Sequence, residues 1–307
     1  MDKVTDLYVK SNRKHDEIVL KTRRITMKNI FQTVLILLLW ATFGFAVTET
    51  PSTSGNLAIT KEGGNYYVVK SGSPLSTLEL IDIAGRQRML SQRIAKDYLY
   101  IGKKVAVGKA TKQLQASLGE FVRAHKLLDS AINDPEIKNL LAFVQLSMEE
   151  FQETTKQPFS LDNAQLALDL SESILEGSQF VVDSLTRKSN LKESRLVDKS
   201  GKQRMLSQRI AKYYIAYQAG IRDKNTVDQL KSAVKEFQES HLFLMQNPTN
   251  TAEINQKLQK IDKLWKIVYK FYLEIERGGL PFIVFTTTDD ITKMMNEVTH
   301  LYAKMHH

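Results

Sequence analysis

The stretch QRMLSQRIAK occurs twice in this chain, at Gln87–Lys96 and Gln203–Lys212, identical at all ten positions and displaced by 116 residues. The repeat reaches further. Leu114, Glu120, Phe121 and His125 return at the same displacement as Leu230, Glu236, Phe237 and His241. A fixed displacement shared by separated segments marks a duplicated unit. Each unit has one segment carrying QRMLSQRIAK and a second carrying Glu-Phe-x-x-x-His.

From Pro74 onward the apolar spacing is helical. Beyond it, proline stands only at 135, 158, 248 and 281, each among turn residues. Asp134 before Pro135 is an N-cap and first-turn pair. Gly278-Gly279 stops a helix, and Thr287-x-x-Asp290 resembles a capping box for the last one. The expected helices run over 75–107, 111–132, 135–156, 161–221, 225–246, 251–277 and 288–305. Uninterrupted, the fourth spans on the order of 90 Å. It suits a rod shared by two bundles stacked end to end. The fold class is therefore all-α: two tandem four-helix-bundle modules, 74–190 and 191–307, sharing a long helix. A linker, 48–73, precedes them. Within it, Glu62-Gly63-Gly64-Asn65 between β-branched and aromatic runs predicts a small β-hairpin.

On a helical wheel, Ile83, Gln87, Leu90, Ile94 and Ile101 form one stripe, with Tyr98 beside it. Gln203, Leu206, Ile210, Tyr214 and Tyr217 repeat it. Gln87 and Gln203 sit inside an apolar seam, where an amide needs a partner. Arg86 and Arg93 flank one side, and Arg88 the other, a turn before Ser91 and Gln92. Lys202, Arg204, Arg209, Ser207 and Gln208 repeat the set. Solvated helix flanks drift freely between duplicated units, yet here the polar positions match as well as the apolar ones. Arg93 and Asp97, four apart, read as a plain helix ion pair. The counterpart of Asp97 is Tyr213, so that pair does not account for the repeat. Guanidinium groups beside hydroxyl and amide groups suit a small planar oxyanion, whose oxygens the rigid fork of arginine matches two at a time. Arg88, Arg204, Arg86, Arg93, Arg209, Lys202, Ser91, Ser207, Gln92 and Gln208 are the candidate ligand-binding residues. Glu120 with His125, and Glu236 with His241, read as groups facing the arginines or as ordinary bundle residues. Phe282-Ile283-Val284-Phe285 reads as a docking patch or a filled bundle end.

Ile-Ala-Gly-Arg-Gln-Arg-Met-Leu-Ser-Gln-Arg resembles the signature of the type IV pilus methyl-accepting chemotaxis transducer N-terminal (PilJ-type) domain family. It is also similar to the periplasmic sensor module of NarX-like nitrate/nitrite sensor kinases. The shared core, Gly-x-x-Arg-Met-x-Ser-x-Arg on the first helix of a four-helix bundle, falls on Gly85, Arg88, Met89, Ser91 and Arg93. It falls again on Gly201, Arg204, Met205, Ser207 and Arg209. The resemblance implies that Arg88 and Arg204 match an anion-contacting arginine that works across a dimer interface in the nitrate sensors. Arg86 and Lys202 depart from the nitrate sensors, where that position is not basic, so the anion is open. No second membrane span, kinase, methyl-accepting or cyclase module follows in this sequence. The expectation is a module that signals through a separate membrane-bound sensor or transducer, as a monomer or a homodimer.

The formal charge is +9, from 43 Lys+Arg against 34 Asp+Glu. The first 46 residues hold eight of the basic and four of the acidic side chains, leaving 35 against 30. That mild balance, without a dense basic stripe, argues against nucleic acid as a partner. With no cysteine and six scattered histidines, no metal site or cofactor is expected. Paired carboxylates, G-x-S-x-G, H-E-x-x-H and a phosphate loop are all missing, so no catalytic residue or enzyme activity is assigned.

An apolar run centred on Val34–Ala41 sets the compartment. Residues 1–29 form a basic N-terminal extension, and 30–47 a signal peptide or membrane anchor. If Met27 is the start, Lys28 precedes an apolar core and Gly44-Phe45-Ala46 is a cleavage site. If Met1 is the start, 30–47 stays as a short anchor, and the basic extension stays in the cytoplasm. Either route sends residues 50–307 into the periplasm. The functional expectation is a periplasmic sensing module for a nitrate- or nitrite-like anion. The alternative is an adaptor rod that grips a partner's carboxylates.

Overall fold

The computed structural model describes residues 57–62, 65–70, 75–189 and 192–305. The signal or anchor segment 30–47 and the basic extension lie outside them. No helix among the described residues is long and apolar enough to cross a membrane.

The linker hairpin forms. Strands β1 (Leu57–Glu62) and β2 (Asn65–Lys70) pair antiparallel, from Leu57 opposite Lys70 to Glu62 opposite Asn65. The rest is helical: α1 (Thr77–Gly102), α2 (Val107–Ala131), α3 (Pro135–Lys156), α4 (Leu161–Ser189), α5 (Lys192–Ala219), α6 (Lys224–Met245), α7 (Ala252–Leu273) and α8 (Pro281–Ala303). A 3₁₀ turn, Ile275–Arg277, sits between the last two.

Local chemistry explains the starts. Ser76 opens α1 with a capping box: its hydroxyl accepts from the Glu79 backbone N–H, and the Glu79 carboxylate accepts from the Ser76 N–H. Asp134 accepts from the Ile137 N–H with Pro135 in the first turn, as expected. Asp223 and Thr251 cap α6 and α7 in the same way. The last helix differs from expectation. It starts at Pro281, after Gly278 and Gly279 take positive φ angles of 64° and 104°. Thr287 is thus already inside the helix and donates to the Ile283 carbonyl instead of capping. Proline in a first turn lacks only a donor that has no partner there anyway.

In the first bundle α1 packs on α2 and α4, and α3 closes the ring; α5, α6, α7 and α8 repeat the arrangement. The all-α class and the pair of four-helix bundles hold. The shared rod does not. Glu172 of α4 accepts hydrogen bonds from Lys212 and Arg209 of α5. Lys212 lies forty residues further along the chain, which in one unbroken helix would be about 60 Å away. The chain instead breaks between Ser189 and Lys192, and α5 runs back along α4 as a helical hairpin. The break falls where the sequence TRKSNLKES, 186–194, offers one apolar residue to bury. A continuous helix there would gain little from packing.

Folding back brings the two copies of the decapeptide face to face. The most extensive packing between elements is that of α1 on α5. The two run parallel and at matching levels. Arginines 88 and 204 both approach Gly85 and Gly201, and Leu99 and Tyr100 share a core cluster with Ile215 and Ala216. Each residue of α1 thus lies level with the residue 116 further on, as in a two-fold pair whose axis follows the helices. Because α1 is covered by α2, α4 and α5, nearly every residue from Ile83 to Tyr100 is buried. An apolar stripe with solvated arginine flanks therefore understates its burial.

Candidate functional site

Three polar layers surround the packing of α1 on α5, and the two copies of the decapeptide supply them together with Arg86 and Lys202, the residues just before each copy. The central layer holds Arg88 and Arg204, which are 0 % and 1 % exposed. Arg88 Nη1 donates to Asp198 Oδ1 at 2.8 Å and to Gln179 Oε1 at 2.6 Å. Arg204 Nη2 stands 2.7 Å from Asp82 Oδ1 and donates to the Asp82 carbonyl at 3.2 Å; its Nη1 donates to Asn296 Oδ1 at 3.2 Å. Asp82 and Asp198 are themselves 116 apart, so each arginine takes the carboxylate of the other bundle. A Cβ on Gly85 would lie 3.0 Å from Arg88 Nη2 and 3.4 Å from Arg204 Nη2; Gly201 gives 3.1 and 3.4 Å to the same pair in reverse. Glycine at both positions leaves the room in which two guanidinium groups sit side by side. Arg88 Nε is buried and makes no hydrogen bond among the described residues.

The second layer is internal to each bundle. Arg86 pairs with Glu120 between α1 and α2, and Lys202 with Glu236 between α5 and α6. Arg86 also donates to Asn296 Oδ1 at 3.1 Å, which ties it to the Arg204 layer. The buried amides find partners here too: Gln87 Nε2 lies 3.2 Å from His125 Nδ1, and Gln203 Nε2 donates to the Phe237 carbonyl at 3.0 Å. His125 and His241 stack on Phe121 and Phe237. Burial holds both imidazoles below their usual range, His241 at about 4.

The third layer holds Lys96 and Lys212, the last residue of each decapeptide, both fully buried. Lys96 Nζ donates to Asp289 Oδ1 of α8 at 2.8 Å and to Gln113 Oε1 at 2.7 Å. Lys212 Nζ donates to Ser171 Oγ at 2.9 Å and to the Glu172 carboxylate, both on α4. Each lysine reaches into the other bundle. Arg209 joins this layer through Glu172 and Gln229. Burial works against ionisation of Glu172, but Lys212 and Arg209 outweigh it and hold its carboxyl low. Burial also lowers the Lys212 ammonium, to about 8.

The ten candidate binding residues thus divide. Arg88 and Arg204 meet at the seam. Arg86 and Lys202 turn to the glutamates, and Arg209 to the third layer. Arg93 is half-buried near Lys96, and no ion pair between it and Asp97 forms among the described residues. Ser91 and Ser207 donate to the Arg88 and Arg204 carbonyls, at 2.9 Å each. Gln92 donates to the Ser171 carbonyl, and Gln208 to Thr292. The apolar run 282–285 splits, with Val284 and Phe285 buried and Phe282 and Ile283 exposed. Sequence reasoning missed Asp82, Asp198, Gln113 and Gln229. Each pair matches at the 116-residue displacement, which was the available signal.

Comparison with known proteins agrees with the duplication. The PilJ family model, described as the type IV pili methyl-accepting chemotaxis transducer N-terminal region, matches residues 75–174 and again 185–273. No curated protein and no solved structure matches the chain.

Proposed function

Because this chain belongs to the PilJ family of chemotaxis-transducer sensing modules, we propose that it carries both halves of a two-fold sensor in one polypeptide. In this reading a small planar anion, of the nitrate or nitrite class, is received by the Arg88–Arg204 pair. The module works outside the cytoplasm, tethered by residues 30–47 or released after Ala46, and passes its state to a separate membrane transducer. The family is sensory rather than catalytic.

The observation that carries this reading is the convergence of two forked cations over Gly85 and Gly201. Each is already bonded to a planar oxyanion, the carboxylate of Asp198 or Asp82. Each carboxylate holds one guanidinium nitrogen, a place that an external anion would take. An arriving anion exchanges with them and frees one contact between the bundles, so that binding is coupled to the seam. Charge-assisted bonds of this type are each worth roughly 1.5–3 kcal/mol. That is enough to shift a contact balanced between two oxyanions.

The test is thermal unfolding of the full chain, titrated with nitrate, nitrite and small carboxylates against matched sulfate or chloride. Wild type is expected to gain stability with one anion class. D82N/D198N, which keeps both arginines and removes the internal carboxylates, should respond more strongly, and R88A/R204A should not respond. Lysine in place of both arginines should restore the response only in part, because an ammonium lacks the bidentate edge. An equal response of all variants to every anion overturns the reading and leaves the arginines as interface residues.

A further inference from the structure

The third layer contains an asymmetry that the duplication does not explain. At the position after each buried lysine the first bundle has Asp97 and the second has Tyr213. Asp97 is fully buried. Lys96 Nζ is 3.3 Å from Asp97 Oδ1. It is already committed to Gln113 and Asp289, and it stands 4.1 Å from the centroid of the Phe285 ring. These three partners take up its N–H directions. Neither Asp97 oxygen receives a hydrogen bond among the described residues. The fully buried Asp97 and the largely buried Asp289 therefore share one lysine, which is hydrogen-bonded to Asp289 and only in looser ion-pair contact with Asp97. In the mirror cluster Lys212 serves a single carboxylate, Glu172, and leans on the Tyr213 ring, 4.3 Å away.

We propose that Asp97 is a proton switch for the contact between the two bundles: protonated, it leaves Lys96 to Asp289 and closes the α1–α8 contact; ionised, it competes for Lys96, repels Asp289 and loosens that contact. The groups around it define the balance. Lys96 and Arg93 on α1 favour its charge, while burial and Asp289 oppose it, burial most. Lys109 of α2 faces Asp289, with Nζ 3.6 Å from Oδ2. Tyr100, and Tyr214 and Tyr272 from α5 and α7 near it, are pushed up by burial and stay neutral throughout.

The balance brings the Asp97 carboxyl up to about 7. Burial works against Asp289 too, but Lys96 and Arg93 outweigh it and hold that carboxyl at about 2. Asp97 is thus the member of the pair that titrates. Its folded value lies above its unfolded one. Its contribution to stability is therefore fully present below its unfolded value of about 4 and is lost as pH rises through about 7. This switch does not depend on the anion reading, since it uses neither Arg88 nor Arg204.

Two measurements on the full chain decide it. Infrared titration should show a buried protonated carboxyl at pH 6 that disappears by pH 8 and is missing from D97N. Absence of that band from wild type at pH 6 overturns the proposal. Amide exchange of residues 288–292 in α8, taken as the ratio of wild type to D97N at each pH, should rise several-fold from pH 6 to pH 8. The ratio cancels the intrinsic pH dependence of exchange, and an unchanged ratio overturns the proposal. If D97N does not fold, Asp97→Ser replaces it, because a serine also carries no charge in this range.

Discussion

His241 makes the clearest residue-scale case. It lies inside the second bundle, stacked on Phe237, and burial brings it down to about 4. A folded value below the unfolded 6.5 means that the unfolded chain binds the extra proton. Stability from this residue is present above about 6.5 and falls as pH drops toward 4. Acidifying from pH 7 to pH 5 should cost about 2 kcal/mol through His241. His241→Gln should flatten that slope in urea unfolding even if it lowers stability at every pH. An unaltered slope would mean that the imidazole is solvated in the fold. Asp97 acts with the opposite sign over an overlapping range, so the two must be separated by single variants. The same scale settles what the repeated arginines touch. Their partners, Asp82 and Asp198, come from the same chain and were present in the sequence all along. Each lies five residues before one copy of the motif, and apart from the shared 116-residue displacement nothing in the sequence pairs it with the arginine of the other copy.

At the scale of elements, the α4–α5 hairpin stands on contacts such as Glu172 with Lys212 and Arg209. The lysine is fully buried, whereas the glutamate side chain is 30 % exposed. Without the lysine, Glu172 keeps Arg209 as its partner, so the loss is that of a buried charged hydrogen bond, roughly 1–3 kcal/mol. Lys212→Met should therefore be destabilising. Adding Glu172→Gln should recover part of the loss, with a coupling of at least about 1 kcal/mol in a double-mutant cycle. Residues about 60 Å apart on a straight helix would show none. The helices themselves were legible in the sequence because capping chemistry and 3.6-residue periodicity are local. Asp134 with Pro135 and the glycine pair 278–279 act within a turn or two of themselves. The break near 190 was harder to read. No proline or glycine marks it, and only the lack of apolar residues across 186–194 does.

At the scale of the whole molecule, α1 and α5 run parallel and level, so their C-terminal ends lie together. The chain has no cysteine, so introduced pairs report alone. Spin labels on Lys103→Cys and Arg222→Cys should lie within about 30 Å, given helix axes 8–10 Å apart. Bundles stacked end to end would separate them by about 40 Å or more, the length of one such helix. This arrangement also gives a reason for the duplication. A two-fold interface uses one surface twice, so both copies must keep it. Within one chain the two copies are then free to differ where symmetry is not needed, as at Asp97 and Tyr213.

The sequence by itself determined that the chain is helical, that it is duplicated, and that each motif helix carries a buried apolar stripe. Those properties follow from spacing and from short-range bonds. Only the tertiary structure decided what that stripe is buried against. Periodicity records that a residue leaves water, not which surface receives it. Two identical cationic helices fit equally well in two separate bundles or against each other. The fold back between 189 and 192 made the choice. It set Arg88 beside Arg204, gave each the other bundle's aspartate, and turned a motif that reads as a surface site into a buried seam.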